Sequence, residues 1–207
     1  MFELNQQRAY LATLTPHTEK HGDENVQAAT LKIEVVMSNA VLNEFDKGLL
    51  SALYRQPTKG ETSDIEAKNE YQKVRFPLLS PAKWDEEFPG YKLRIDSDIG
   101  DAELLSLFDV TLKKFQFEPC DGGSLRITFN ANCHPEPSQA GELFSMMQEH
   151  VSLTLIAPTA EEQKAAAEKK DAPKKRATEG QRDILDDQDA QDKARADAVG
   201  DALESVA

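Results

Sequence analysis

The feature that most constrains this chain is a two-residue alternation of apolar and outward side chains that recurs in four separate places. Leu31, Ile33, Val35 and Met37 alternate with Lys32, Glu34 and Val36, and Leu125, Ile127, Phe129, Ala131 and Cys133 with Arg126, Thr128, Asn130 and Asn132. Tyr91, Leu93 and Ile95 alternate with Lys92, Arg94 and Asp96, and Val151, Leu153 and Leu155 with Ser152 and Thr154. Successive side chains of a strand point to opposite faces, so each segment offers one face to a core and one to water, as antiparallel sheets do. Phe115 and Phe117 fall out of phase with Val110 and Leu112, which predicts a bulge or bend at Lys113-Lys114. Cys120-Asp121-Gly122-Gly123 supplies turn residues for a hairpin into the strand beginning near Ser124. Thr15 to Asn25, with no apolar residue but Pro16, reads as a long hairpin loop.

Two segments change to helical spacing. Val41, Leu42, Phe45, Leu49, Leu50 and Leu53 form one stripe, and Ala140, Leu143, Phe144 and Met147 a second, with Ser138 placed to cap it. Gly48 and Gly141 weaken both, so these helices depend on packing. The expected fold is therefore α+β: one domain over residues 1–158, with an antiparallel sheet of six or more strands. Helices near 39–54 and 138–148 cover one face, and Trp84, Phe88 and Tyr91 anchor the stretch Lys83–Asp98. At a constant offset of 94, Leu31-Lys-Ile33 matches Leu125-Arg-Ile127, and Leu49-Leu50-Ser51 matches Leu143-Phe144-Ser145. Either the chain holds a ββαβ pseudo-repeat, with Lys73–Phe76 and Val151–Ile156 as closing strands and Lys83–Asp98 inserted, or two amphipathic strand–helix units share Leu and Ile by coincidence.

Charge and composition bear on function. Up to Pro158 there are 15 Lys+Arg against 24 Asp+Glu; beyond it there are 9 against 13. A domain with a net of −9 repels the phosphate field of duplex DNA and of anionic membranes, which argues against sequence-blind binding to either. No apolar run approaches the ~20 residues that span a bilayer. Two cysteines make no disulfide framework, as expected of a reducing cytoplasm. The segment 159–207 opens with capping-box spacing at Thr159-Ala-Glu-Glu162 and has too few large apolar residues to offset ordering entropy, so it is expected to be a mostly disordered, charged tail.

No catalytic, metal or cofactor constellation emerges. Cys133 and His134 are adjacent and point to opposite faces of a strand, while His17 and His21 sit in a segment read as loop. Asp96-Ser-Asp98-Ile-Gly-Asp101 misplaces the glycine and the closing glutamate of a calcium loop, and Asp85-Glu86-Glu87 reads as a wet turn. No nucleophile elbow or phosphate-binding glycine loop is present. What is left is a non-catalytic binding protein that contacts another protein or itself. Val199, Leu203 and Val206, at i, i+4 and i+7, could dock on a partner, or could form residual helix alone. The alternative is a single-strand nucleic-acid-binding accessory protein with an acidic recruiting tail. Lys113, Lys114 and Arg126 would contact phosphates, though Phe115, Phe117 and Phe129 are more natural core residues than stacking platforms.

Phe76-Pro-Leu-Leu-Ser-Pro-Ala-Lys-Trp84, Glu87-Phe-Pro-Gly-Tyr91, Phe115-Gln-Phe-Glu-Pro119, Gly122-Gly123 and Cys133-His134-Pro135 together resemble a group of small phage and prophage proteins of uncharacterised role. The resemblance covers about residues 28–158 and brings no catalytic residue with it. It implies a bacterial cytoplasm during phage growth as the setting.

Overall fold

A computed structural model describes residues 1–22, 24–61, 70–96 and 104–159. In chain order the described elements are β1 (Leu4–His21), β2 (Glu24–Ser38), α1 (Leu42–Phe45), α2 (Leu49–Leu53), β3 (Tyr54–Arg55), β4 (Lys73–Val74), β5 (Ala82–Trp84), β6 (Phe88–Asp96), β7 (Leu105–Cys120), β8 (Ser124–Cys133), α3 (Pro137–Ser145) and β9 (His150–Ile156), with a 3-10 turn at Asn39–Val41. The main sheet runs β5-β7-β6-β9-β1-β2-β8, and β8 pairs back onto β7. Strands β1, β2, β6, β7, β8 and β9 thus close into a six-stranded antiparallel barrel, with 57% of the described residues in strands. No helix among the described residues is long and apolar enough to cross a membrane.

This corrects the expected α+β architecture. The alternating strands and their antiparallel pairing are present, but the sheet curls onto itself instead of lying under two helices. The reason is physical: a barrel buries one face of every strand, so it leaves the same period-two signature as a sheet covered on one side. Leu11, Leu31, Ile33, Leu93, Ile95, Val110, Leu112, Phe115, Leu125, Ile127, Phe129 and Leu153 are fully buried and fill the interior.

The helices are shorter than their stripes suggest. Asp46 adopts an extended conformation (φ −153°, ψ 138°), and its Oδ1 accepts from the Gly48 amide at 2.6 Å. A side chain that satisfies the backbone locally competes with helical bonding, so one expected helix becomes two of four and five residues. Phe45, at the end of α1, presses into a ring cluster with Phe2, Phe88, Phe115 and Phe117 at centroid distances of 4.9 to 6.1 Å. Helix α3 begins one residue before Ser138. Its cap is Glu136, which forms a capping box with Gln139, and not the serine.

Two hairpins dominate the barrel. The β7–β8 turn lies where the glycines predict it, and Gly123 (φ 75°) takes a left-handed conformation that β-carbon sterics oppose. Its carbonyl accepts from the Asn39 amide at 3.0 Å, and Asn39, itself buried, donates Nδ2–H to the Tyr71 carbonyl at 2.6 Å. The bulge expected at Lys113-Lys114 is there: pairing with β8 shifts between Lys113 and Gln116, and Lys114 has φ 57°. Thr15–Asn25 is not a loop, however. Strand pairing continues to His21↔Glu24, well past the last β9 partner at Tyr10 and the last β8 partner at Ala29. The covered side of this projecting ribbon meets β8 through the polar residue Glu19 and not through apolar packing, so its strands show no apolar alternation.

Exchanging β1 with β7, β2 with β8 and β6 with β9 leaves all six barrel pairings in place. The 94-residue offset has a structural centre: Glu34 pairs across β2–β8 with Thr128, its own counterpart. The closing strand of the first half is β6, within the stretch read as an insertion. Lys73–Val74 instead pairs with β3 in a separate two-stranded ribbon.

Candidate nucleic-acid interface

The alternation that sends apolar residues into the barrel sends a second set outward, and the strand register arranges that set in rows. One row reads Glu118–Arg126–Val36 across β7, β8 and β2. The next reads Gln116–Thr128–Glu34–Tyr10–His150 across β7, β8, β2, β1 and β9. A third reads Lys113–Asn130–Lys32–Thr13. Arg8, two residues from Tyr10, shares its face and pairs with Ser152 on β9. Neighbouring strands are ~4.8 Å apart and residues rise ~3.3 Å each, so the Arg126 and Lys113 rows lie ~13 Å apart along β8.

The three cations expected to act together therefore do share the outer surface of β7 and β8, in different states. Arg126 pairs with Glu118 at 2.9 Å, and this carboxylate raises the guanidinium pKa further. Both side chains are nearly half exposed, so the pair contributes little to stability. Lys113 and Lys114 have no side-chain partner among the described residues, and the bulge turns the exposed Lys114 away from the regular pleat. Arg8 and Lys32 also lack partners there, and sequence reading had not singled them out. Their signal was available: both occupy outward positions of strands that alternate with the core.

The phenylalanines near these lysines are not platforms. Phe115, Phe117 and Phe129 are buried, and Phe115 stacks on Phe129 inside the barrel at 5.4 Å. An outward-facing ring pair is formed by half-buried Tyr10 and exposed His150, whose centroids lie 5.3 Å apart. Beside it lies a groove of about 500 Å³ lined by Arg8, Tyr10, Glu34, Val36, Arg126 and His150. Gln7 ties its floor together by donating Nε2–H to the Val36 carbonyl at 3.2 Å. Val36 is 52% exposed, an apolar contact between the two arginines.

A second polar cluster joins the projecting ribbon to the end of β8. Glu19 accepts from Asn132 Nδ2 at 2.7 Å, and His17 Nε2 and His134 Nε2 each lie 3.2 Å from one of its oxygens. These hydrogen bonds, with the Asn132 amide first, hold the Glu19 carboxyl down at about 2. His17 thus stands on a strand, not in a loop, and no group of three His, Cys, Asp or Glu among the described residues is arranged to hold a metal. Cys133 is buried opposite the exposed His134, donates to the Ala29 carbonyl, and has its thiol pushed up to about 11 by desolvation. Trp84 donates Nε1–H to Glu86 within the acidic turn. Asp98 and Asp101 of the other acidic turn lie outside the described residues, as do Val199, Leu203 and Val206.

No family model, curated protein or solved structure matches this chain.

Proposed function

We propose that the protein is a non-catalytic binding module that holds single-stranded nucleic acid on the outer face of β7, β8, β2 and β1. The observation that carries this reading is the set of cations Arg8, Lys32, Lys113 and Lys114, without partners among the described residues, on the surface that also carries the Tyr10–His150 ring pair. Single-strand binding needs a local cationic track and a ring on which a base can stack, and both are here on one surface. The net charge of −9 up to Pro158 works against duplex DNA, whose denser phosphate field meets the whole domain. A fluorescent oligonucleotide titrated at low salt tests the reading. Changing Lys113, Lys114 and Arg126 to Glu should abolish binding with thermal unfolding almost unchanged. Absence of binding by the native chain at tens of micromolar retires it.

A second reading, contact with another protein or a second copy, is favoured by one feature. Phe76, Leu78 and Leu79 are all more than half exposed in the segment that leads to β5, and Leu78 has no cover at all. Adjacent exposed apolar residues of this kind are typical of association surfaces. Sedimentation of the native chain against Leu78→Asp separates this reading from the first, because the substitution lies off the cationic face.

A further inference from the structure

Among the described residues, Glu34 is the one acidic side chain lining the Arg8–Arg126 groove. It is the register partner of both Tyr10 and Thr128, so it lies beside the Tyr10–His150 ring pair and at the centre of the barrel's pseudo-twofold arrangement. It has no hydrogen bond or ion pair among the described residues, and Arg126, which feels its charge, is already engaged by Glu118. A carboxylate here lowers the affinity of the groove for phosphate, since it sets a negative charge against the ligand's own. Neutralising Arg126 does not account for it either, because Glu118 does that. An ionised carboxylate can only accept hydrogen bonds, so the ligand it suits presents a donor within reach of the ring on which a base would stack.

We infer that Glu34 makes this groove discriminate among bases, favouring those that offer an exocyclic amino group over thymine and uracil. The inference rests on the nucleic-acid reading given above. Cytosine stacked on the Tyr10–His150 pair can donate N4–H to the Glu34 carboxylate, the pairing by which acidic side chains recognise cytosine elsewhere. Thymine places the O4 carbonyl at that position, where two acceptors face each other and neither can donate. A hydrogen bond to a charged acceptor gained on one base and lost on the other corresponds to about tenfold in affinity. Arg8 and the other unpaired cations of the face remain the phosphate contacts, and they treat both bases alike.

The experiment uses the full chain with ten-residue oligo-dC and oligo-dT at low salt, read by fluorescence anisotropy. The native protein is expected to bind oligo-dC about tenfold more tightly than oligo-dT. Glu34→Gln, whose amide can both donate and accept, should bring the two affinities together, chiefly by tightening oligo-dT. Glu34→Ala should remove the preference by losing the cytosine contact without supplying a donor for thymine. Equal binding of both oligonucleotides by the native chain, or a preference that survives both substitutions, overturns the role of Glu34 while the nucleic-acid reading stands. Binding of neither oligonucleotide removes that reading and this inference with it. An acidic peptide that displaces oligo-dC at equal concentration also overturns it, because such a ligand brings no base edge.

Discussion

Replacing Arg8 and Lys113 together by Gln tests the cationic face quantitatively. The two residues belong to opposite sides of the surface, since Lys113 pairs with Asn130 while Arg8 lies two residues from Tyr10 on the far side of β2. Among the described residues, four cations on β1, β2 and β7 of this face have no protein partner: Arg8, Lys32, Lys113 and Lys114. Arg126 is left out of the count because Glu118 holds it. Each phosphate neutralised on a single strand contributes about −0.7 to the slope of log K against log salt, so four contacts give about −2.8. Between 50 and 200 mM salt the native chain should then lose about 50-fold in affinity. The double variant keeps two contacts, a slope of about −1.4, and loses only about sevenfold over the same range. Anisotropy titrations at four salt concentrations give both slopes directly. Thermal unfolding of the variant should match the native chain, because unpaired exposed cations contribute little to folding. If the two slopes agree within error, the phosphates lie elsewhere on the molecule and the assignment of this face is wrong.

Phe45→Ala should destabilise the barrel by about 3 kcal/mol, at the low end for such truncations because Phe45 is only half-buried, with urea unfolding as the check. Glu19 titrates at about 2 in the folded chain against an ordinary 4.5, so its stabilising contribution is complete above about 4.5 and disappears as pH falls towards 2. Urea midpoints of the native chain and Glu19→Gln, compared from pH 6 to pH 2, should therefore converge at the acid end; a constant gap would refute this. Ending the chain after Thr159 removes nine Lys+Arg and thirteen Asp+Glu but no member of the cationic face. The salt slope should not change, and lost oligonucleotide binding would transfer the ligand to the removed segment.

Much of the fold was legible because alternation reports burial directly. The strands around Leu31, Leu93, Ile127 and Leu153 are present and inward-facing at the expected positions. The bulge at Lys113-Lys114 was legible for the same reason, since only an extra residue lets Val110, Leu112, Phe115 and Phe117 all be buried. Closure was not legible. Whether β8 meets β7 as well as β2 depends on twist and shear accumulated around the sheet, and no local pattern encodes that sum. The Thr15–Asn25 ribbon was missed because it is held by backbone pairing and by the polar bonds of Glu19, without an apolar buried face to impose a period.

The site shows the same division. Lys113, Lys114 and Arg126 drew notice because they fall on consecutive strands joined by a predictable hairpin, whereas Arg8 and Lys32 lie on strands whose neighbours the sequence does not reveal. They become neighbours only through register: Lys32 pairs with Asn130, which also pairs with Lys113, and Tyr10, beside Arg8, pairs with Glu34. Alternation alone says that each of these side chains points outward. It does not say that their strands lie next to one another: β1 and β8 flank β2 only through the strand order of the sheet. The choice of ring platform follows from that logic too. A phenylalanine next to a lysine in sequence lies on the opposite face of the sheet, so the rings that can share a surface with the cations are those in phase with them, as Tyr10 is with Arg8.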